Sequence, residues 1–127
     1  MFKCIPIEKP PLTHTQLVRY AGASGDFNPI HTVVPVGEQA GLGGVIAHGM
    51  LIMGFAGEAI THWFPRDKVR SFHVRFKEKS VPGEKLIIEG QIIEELETSG
   101  ETRLGGQVIV KNEYGEIKCK GWFEIAK

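Results

Sequence analysis

The chain has 127 residues, 42% of them hydrophobic, and its fifteen basic side chains balance fifteen acidic ones. That predicts one compact domain over residues 1–127, and the balanced charge, with no run of like sign, argues against nucleic acid or a membrane as the main partner. Cys4 and Cys119 lack C-x-x-C spacing, and charge and proline break the first eleven residues before any apolar run of signal length, so the expected location is the reducing cytoplasm.

Residues 2–8 read as a short strand stopped by Pro10 and Pro11. Thr13 with Gln16 then makes the S/T-x-x-E/Q pattern of a helix start, and a helix is expected from about His14 to Ala23 with Leu17, Val18 and Ala21 as its apolar stripe. The next stretch, Y-A-G-A-S-G-D-F-N-P-I-H, cannot be helical throughout. Pro29 lacks an N–H and restricts Asn28 to extended conformations, while Gly22 and Gly25 loosen the approach. Asp26 and His31 therefore belong to a structured loop, and a turn is needed for both side chains to meet one small molecule. On these residues alone, an ordinary polar turn with an exposed His31 is the favoured explanation, and the downstream context shifts the balance.

The connector T-V-V-P-V-G-E-Q-A-G-L-G-G allows a short helix or turn around residues 36–42. A helix from about Gly49 to Trp63 follows, ended by Pro65. Its apolar residues occupy every face, which predicts burial all round, and it falls short of the roughly 20 residues of a membrane span. The period then changes to two. Residues 68–78 place Phe72, Val74 and Phe76 on one face, and three more strands are expected near 84–96, 102–113 and 116–126. Turns at Pro82-Gly83, Ser99-Gly100 and Asn112 to Gly115 would join them into an antiparallel meander. The expected class is α+β, with about five antiparallel strands wrapped around a long buried central helix.

S-G-D-F-N-P-I-H, a glycine-rich connector and A-H-G-M, in that order, resemble the MaoC-like dehydratases and (R)-specific enoyl thioester hydratases over residues 13–64. The form Y-A-G-x-S-G-D-x-N-P-I-H with I-A-H-G-M-L-x-M-G is especially similar to the catalytic subunit of mycobacterial-type 3-hydroxyacyl-carrier-protein dehydratases. The resemblance implies a hot-dog domain and a lyase that needs no cofactor. Such an enzyme hydrates trans-2-enoyl thioesters, or dehydrates (R)-3-hydroxyacyl thioesters, carried on CoA or acyl carrier protein. It implies Asp26 and His31 as the proton-transfer pair, with His31 favoured as the base for water and Asp26 as the donor to carbon. Asn28 would orient the loop or the water, the Gly49 N–H would meet the thioester oxyanion, and His48 is a supporting candidate. The implied assembly is a homodimer, or a heterodimer with a related hot-dog subunit.

Two departures stand out. Val33 occupies a position that is acidic in many relatives, and Gly54 to Gly57 lacks the serine that some carry. Lys68, Arg70 and Lys77 are candidates for a pantetheine phosphate or carrier protein, although solvated surface explains each equally well. His14, His62 and His73 are expected at or near the surface. No H-E-x-x-H pair or Cys/His cluster with ligand spacing points to a metal. Two other functions remain open on the sequence. Glu58 on the central helix would serve a hot-dog thioesterase, and the chain would otherwise be the acyl-binding subunit of a heterodimeric dehydratase.

Overall fold

The computed structural model describes residues 4–127. Of the strand expected over residues 2–8, Ile7–Glu8 (β1) forms among the described residues, and residues 2–3 lie outside them. Helix α1, His14–Ser24, begins where Thr13 Oγ1 accepts the Gln16 N–H at 3.0 Å. Gly25 closes it in a left-handed conformation (φ 77°), which lets its N–H reach the Ala21 carbonyl. Leu17 and Ala21 are buried, whereas Val18, assigned to the same stripe, is 50% exposed.

Pro29–His31 forms a single 3-10 turn, and helix α2 spans Val34–Gln39. Helix α2 starts earlier than expected because Pro35 sits in its first turn, where a missing N–H leaves no bond unmade. The connector then doubles back so closely that a Cβ on Gly37 would stand 1.9 Å from the Gly44 carbonyl oxygen.

Helix α3, Gly49–Trp63, has the expected bounds. Strands β2 (Val69–Phe76), β3 (Leu86–Thr98), β4 (Glu101–Asn112) and β5 (Ile117–Ala126) complete an antiparallel sheet of order β1-β3-β4-β5-β2. Only β3, β4 and β5 form a meander. The expected hairpin at Pro82-Gly83 is instead a crossover, and β2 pairs with β5 at the opposite edge from β1. The crossover is held by bonds outside the sheet: Ala47 N–H to Ser80 O, Gly83 N–H to Leu12 O and Leu12 N–H to Glu84 O.

Ile52, Phe55, Ala56, Ala59 and Ile60 of α3 pack among Leu86, Ile88, Val108, Val110, Phe123 and Ile125, giving the hot-dog arrangement of sheet on central helix. Burial all round does not hold. Met50 is 58% exposed, and Gly54, Glu58 and Thr61 face solvent, because one sheet can cover only one side of a helix. Phe76 likewise leaves the company of Phe72 and Val74. It is half exposed, and its ring would lie 3.3 Å from a Cβ on Gly49.

Candidate active site

The loop after α1 is shaped by local hydrogen bonds that its sequence dictates. Asp26 Oδ1 accepts the Asn28 N–H at 3.3 Å, Asn28 Oδ1 accepts the Ile30 N–H at 3.2 Å, and the Asp26 N–H donates to Ser24 Oγ at 3.1 Å. Side-chain acceptors that bond backbone two residues onward are the reason Asp and Asn favour turns. The Asn28 side chain thus caps the 3-10 turn that follows. The 3-10 turn then swings His31 inward, where it is 8% exposed, while Asp26 stays at the surface.

His31 Nδ1 lies 2.7 Å from the Ile46 carbonyl oxygen, and the Ile46 N–H donates to Ile30 O. A carbonyl only accepts, so Nδ1 carries a proton, and in the neutral ring Nε2 presents a lone pair. That nitrogen is 3.9 Å from Asp26 Oδ2. The separation is too long for a direct hydrogen bond and leaves the two groups free to hold one atom of a third molecule. The exposed-histidine alternative fails because both the ring and its tautomer are fixed by the protein.

His48 lies beneath this pair. Its ring stacks on His31 with centroids 3.8 Å apart and planes at 22°, and Tyr20 meets it edge-on at 4.8 Å. Its Nε2 is 3.1 Å from the Asp26 carbonyl oxygen. Asp26, His31 and His48 can each offer a metal-ligating atom, all within 4.8 Å of one another. The near-parallel stacked rings keep their in-plane lone pairs in separate planes instead of aiming them at one point. This geometry does not form a tetrahedral site.

Gly49 opens α3 directly after His48. The first amides of a helix have no acceptor within it, and His48 supplies no side-chain cap. The Gly49 N–H thus stands at the positive end of α3, next in the chain to His48, whose ring stacks on His31. Phe76 gives a second reason for glycine here, since a Cβ would press on its ring.

Other candidates lie apart. Glu58 pairs with Lys9 at 2.8 Å and sits nine residues beyond Gly49, ~13 Å along the helix axis. Arg70 is engaged by Glu101 at 3.0 Å and by the Asp67 carbonyl, which removes it from the pool of free phosphate ligands. Lys68 and Lys77 are exposed at the surface. Burial pushes the Cys119 thiol up to about 11, so no thiolate nucleophile is available there at neutral pH. The sequence reading missed three supports: Tyr20 against His48, the Ile46 carbonyl on His31, and His14, whose ring bonds the Thr32 carbonyl at 2.8 Å. Main-chain partners and edge-on packing leave no residue-type signature.

Residues 6–113 match the model of the MaoC like domain. Among curated proteins, the fatty acid synthase beta subunit pkiC of Emericella nidulans is 38% identical over 73 residues, a match covering 55% of this chain and 4% of that protein. The chain thus spans only a small part of the curated relatives it matches. The solved structure of R-hydratase PhaJ1 from Pseudomonas aeruginosa is similar with a TM-score of 0.83 and 25% identity, over 99% of this chain and 81% of that one. The HadBC (3R-hydroxyacyl-ACP dehydratase) complex from Mycobacterium tuberculosis shares the fold at a TM-score of 0.74 and 14% identity, over 97% and 95% of the two chains. With the Asp-x-Asn-Pro-x-His loop and the central helix arranged as described, and the family model spanning most of its length, the chain belongs to the MaoC-like dehydratase domain family.

Proposed function

We propose that the protein is a hydro-lyase that adds water reversibly across trans-2-enoyl thioesters, the reverse reaction dehydrating (R)-3-hydroxyacyl thioesters on CoA or acyl carrier protein. The observation that carries this reading is the 3.9 Å gap between Asp26 Oδ2 and the lone-pair nitrogen of His31. A water there accepts orientation from both groups. His31 Nε2 takes its proton as the oxygen bonds to C3. Negative charge moves onto the thioester oxygen, where the Gly49 N–H receives it, and the proton taken from water passes from His31 by way of Asp26 to C2, which leaves both side chains as they began. The roles reverse for dehydration.

The thioesterase alternative needs Glu58 beside the thioester carbonyl. Its pairing with Lys9 and its place far along α3 favour the structural role. Glu58→Gln should leave the hydration rate within ~2-fold of the parent, as expected for an exposed ion pair. Thiol release that exceeds loss of the enoyl group, and that vanishes in this variant, would establish the thioesterase instead.

The assembly we favour is a dimer that covers the open side of α3. Met50 and Gly54 are exposed there, a Cβ on Gly54 would meet nothing within 4 Å, and strand β2 beside them pairs on one side only. An unpaired strand edge next to an apolar helix face is a template for a second hot-dog subunit. Sedimentation of the purified chain should give twice its 14.0 kDa mass. A monomer would instead point to a related hot-dog subunit as the missing partner, with this chain, holding both Asp26 and His31, as the catalytic half. Among the described residues no helix is long and apolar enough to cross a membrane, and the location we propose is the cytoplasm.

A further inference from the structure

His48 touches each part of the site that must hold still. It is 1% exposed, stacks on His31, donates through Nε2–H to the Asp26 carbonyl, and immediately precedes Gly49. A residue in the N-cap position ordinarily turns a side-chain acceptor toward the helix amides, but His48 makes no such bond. Its Nδ1 is buried without a hydrogen-bond partner among the described residues. Leaving a buried polar atom unpaired is unfavourable, so the ring must be retained for what its other nitrogen and its face do. Asp26 shows what that is. Its remaining bonds, to Ser24 and Asn28, are local to an exposed loop, whereas His48 reaches it from 22 residues away.

We infer that His48 is a positioning residue: its Nε2–H tethers the Asp26 backbone while its ring backs His31, fixing the gap in which water is held. It exchanges no proton with substrate, because Nε2 is committed to a carbonyl and Nδ1 is closed to solvent. The assignment rests on the hydro-lyase reading for its kinetic consequence. A misplacement of ~1 Å in a proton-transfer site can cost ~10²-fold in rate.

Two replacements separate the tether from simple filling of space. His48→Gln puts an amide donor near the place of Nε2–H, whereas His48→Phe keeps an aromatic face and has no donor. Below the unfolding transitions of both, the Gln variant should keep kcat within ~5-fold of the parent, and the Phe variant should lose ~10- to 100-fold with KM little changed. Equal rates in the two variants, or a Gln variant slower than the Phe variant, would overturn the tether. Should His48→Phe fail to fold, His48→Leu takes its place. Nitrogen-15 NMR of the parent protein gives a readout independent of activity: the His48 ring should carry its proton on Nε2, and the Nδ1-H tautomer would contradict the assignment. A parent with the Nε2-H tautomer that hydrates no enoyl thioester fails the hydro-lyase reading, whereas an active parent whose Gln and Phe variants match fails the His48 assignment.

Discussion

Asp26→Asn and His31→Asn should each lower kcat for hydration of a trans-2-enoyl thioester by ~10²- to 10⁴-fold, the usual contribution of a positioned acid or base. Both substitutions are chosen to spare the scaffold. Asn at 26 retains an acceptor for the Asn28 N–H and the carbonyl that His48 meets, yet its amide transfers no proton. Asn at 31 places a donor near the position of Nδ1, facing the Ile46 carbonyl, and removes only the reactive nitrogen. Circular dichroism and melting temperatures near those of the parent are therefore expected. The double variant should be little slower than the worse single one, because the two groups flank one water and act as a unit.

The largest effect on stability should come from Lys118→Met. The Lys118 side chain is 1% exposed, ion-paired to Glu84 at 2.7 Å and to Glu116, and it donates to the Lys79 carbonyl at 2.7 Å. Asn112 Nδ2 bonds the same Glu84 carboxylate at 2.6 Å. Removing the cation strands that carboxylate, and breaking a buried pair from one side typically costs ~3 kcal/mol or more, a fall in Tm of ~10 °C at this size. Thermal melts of the variant and of Lys118→Met with Glu84→Gln test this; the double variant should recover part of the loss.

The same network sets a pH dependence. Burial alone would raise the Glu84 pKa, but hydrogen bonds from Lys118, Asn112 and the Val81 N–H outweigh it and hold the carboxyl below its usual range. Its stabilisation is present above the unfolded value of ~4.3 and disappears as pH falls through the lower folded value. Burial alone would lower the Lys118 pKa, but its bonds to Glu116 and Glu84 outweigh it and raise it. That contribution is complete below ~10.4 and disappears as pH rises through the higher folded value. Lys118→Met should flatten both edges. The network bears on the site through the backbone: Lys118 holds Lys79, and the next residue, Ser80, holds the Ala47 N–H just before His48 and Gly49.

Much of this was legible in the sequence where local chemistry decides structure. Thr13 and Pro65 mark helix ends by capping and a missing N–H, and α3 has the bounds read from its apolar run. The Asp26 to His31 loop could be recognised from residue types that bond their own backbone. Strand order could not, because hairpin signals at Ser99-Gly100 and at residues 112–115 are local, whereas the β2 to β3 crossover is fixed by contacts with Leu12 and Ala47 from other parts of the chain. Hydropathy also misjudged α3, since methionine and glycine count as apolar whether or not a sheet of the same chain covers them. The Lys118 network lay hidden for a related reason: a lysine alternating with strand residues reads as solvated until its carboxylate partners from residues 84 and 116 are brought beside it.

The central claim, that Asp26 and His31 hold and activate a water for addition to an enoyl thioester, is tested most directly by mixing the purified protein with crotonyl-CoA and longer trans-2-enoyl thioesters and following the conjugated-enoyl absorbance. The parent protein should consume that absorbance with at least one chain length, and Asp26→Asn and His31→Asn at equal concentration should not do so measurably on the same timescale. A folded parent that leaves every enoyl thioester unchanged, or variants that hydrate them as fast as the parent, would contradict it.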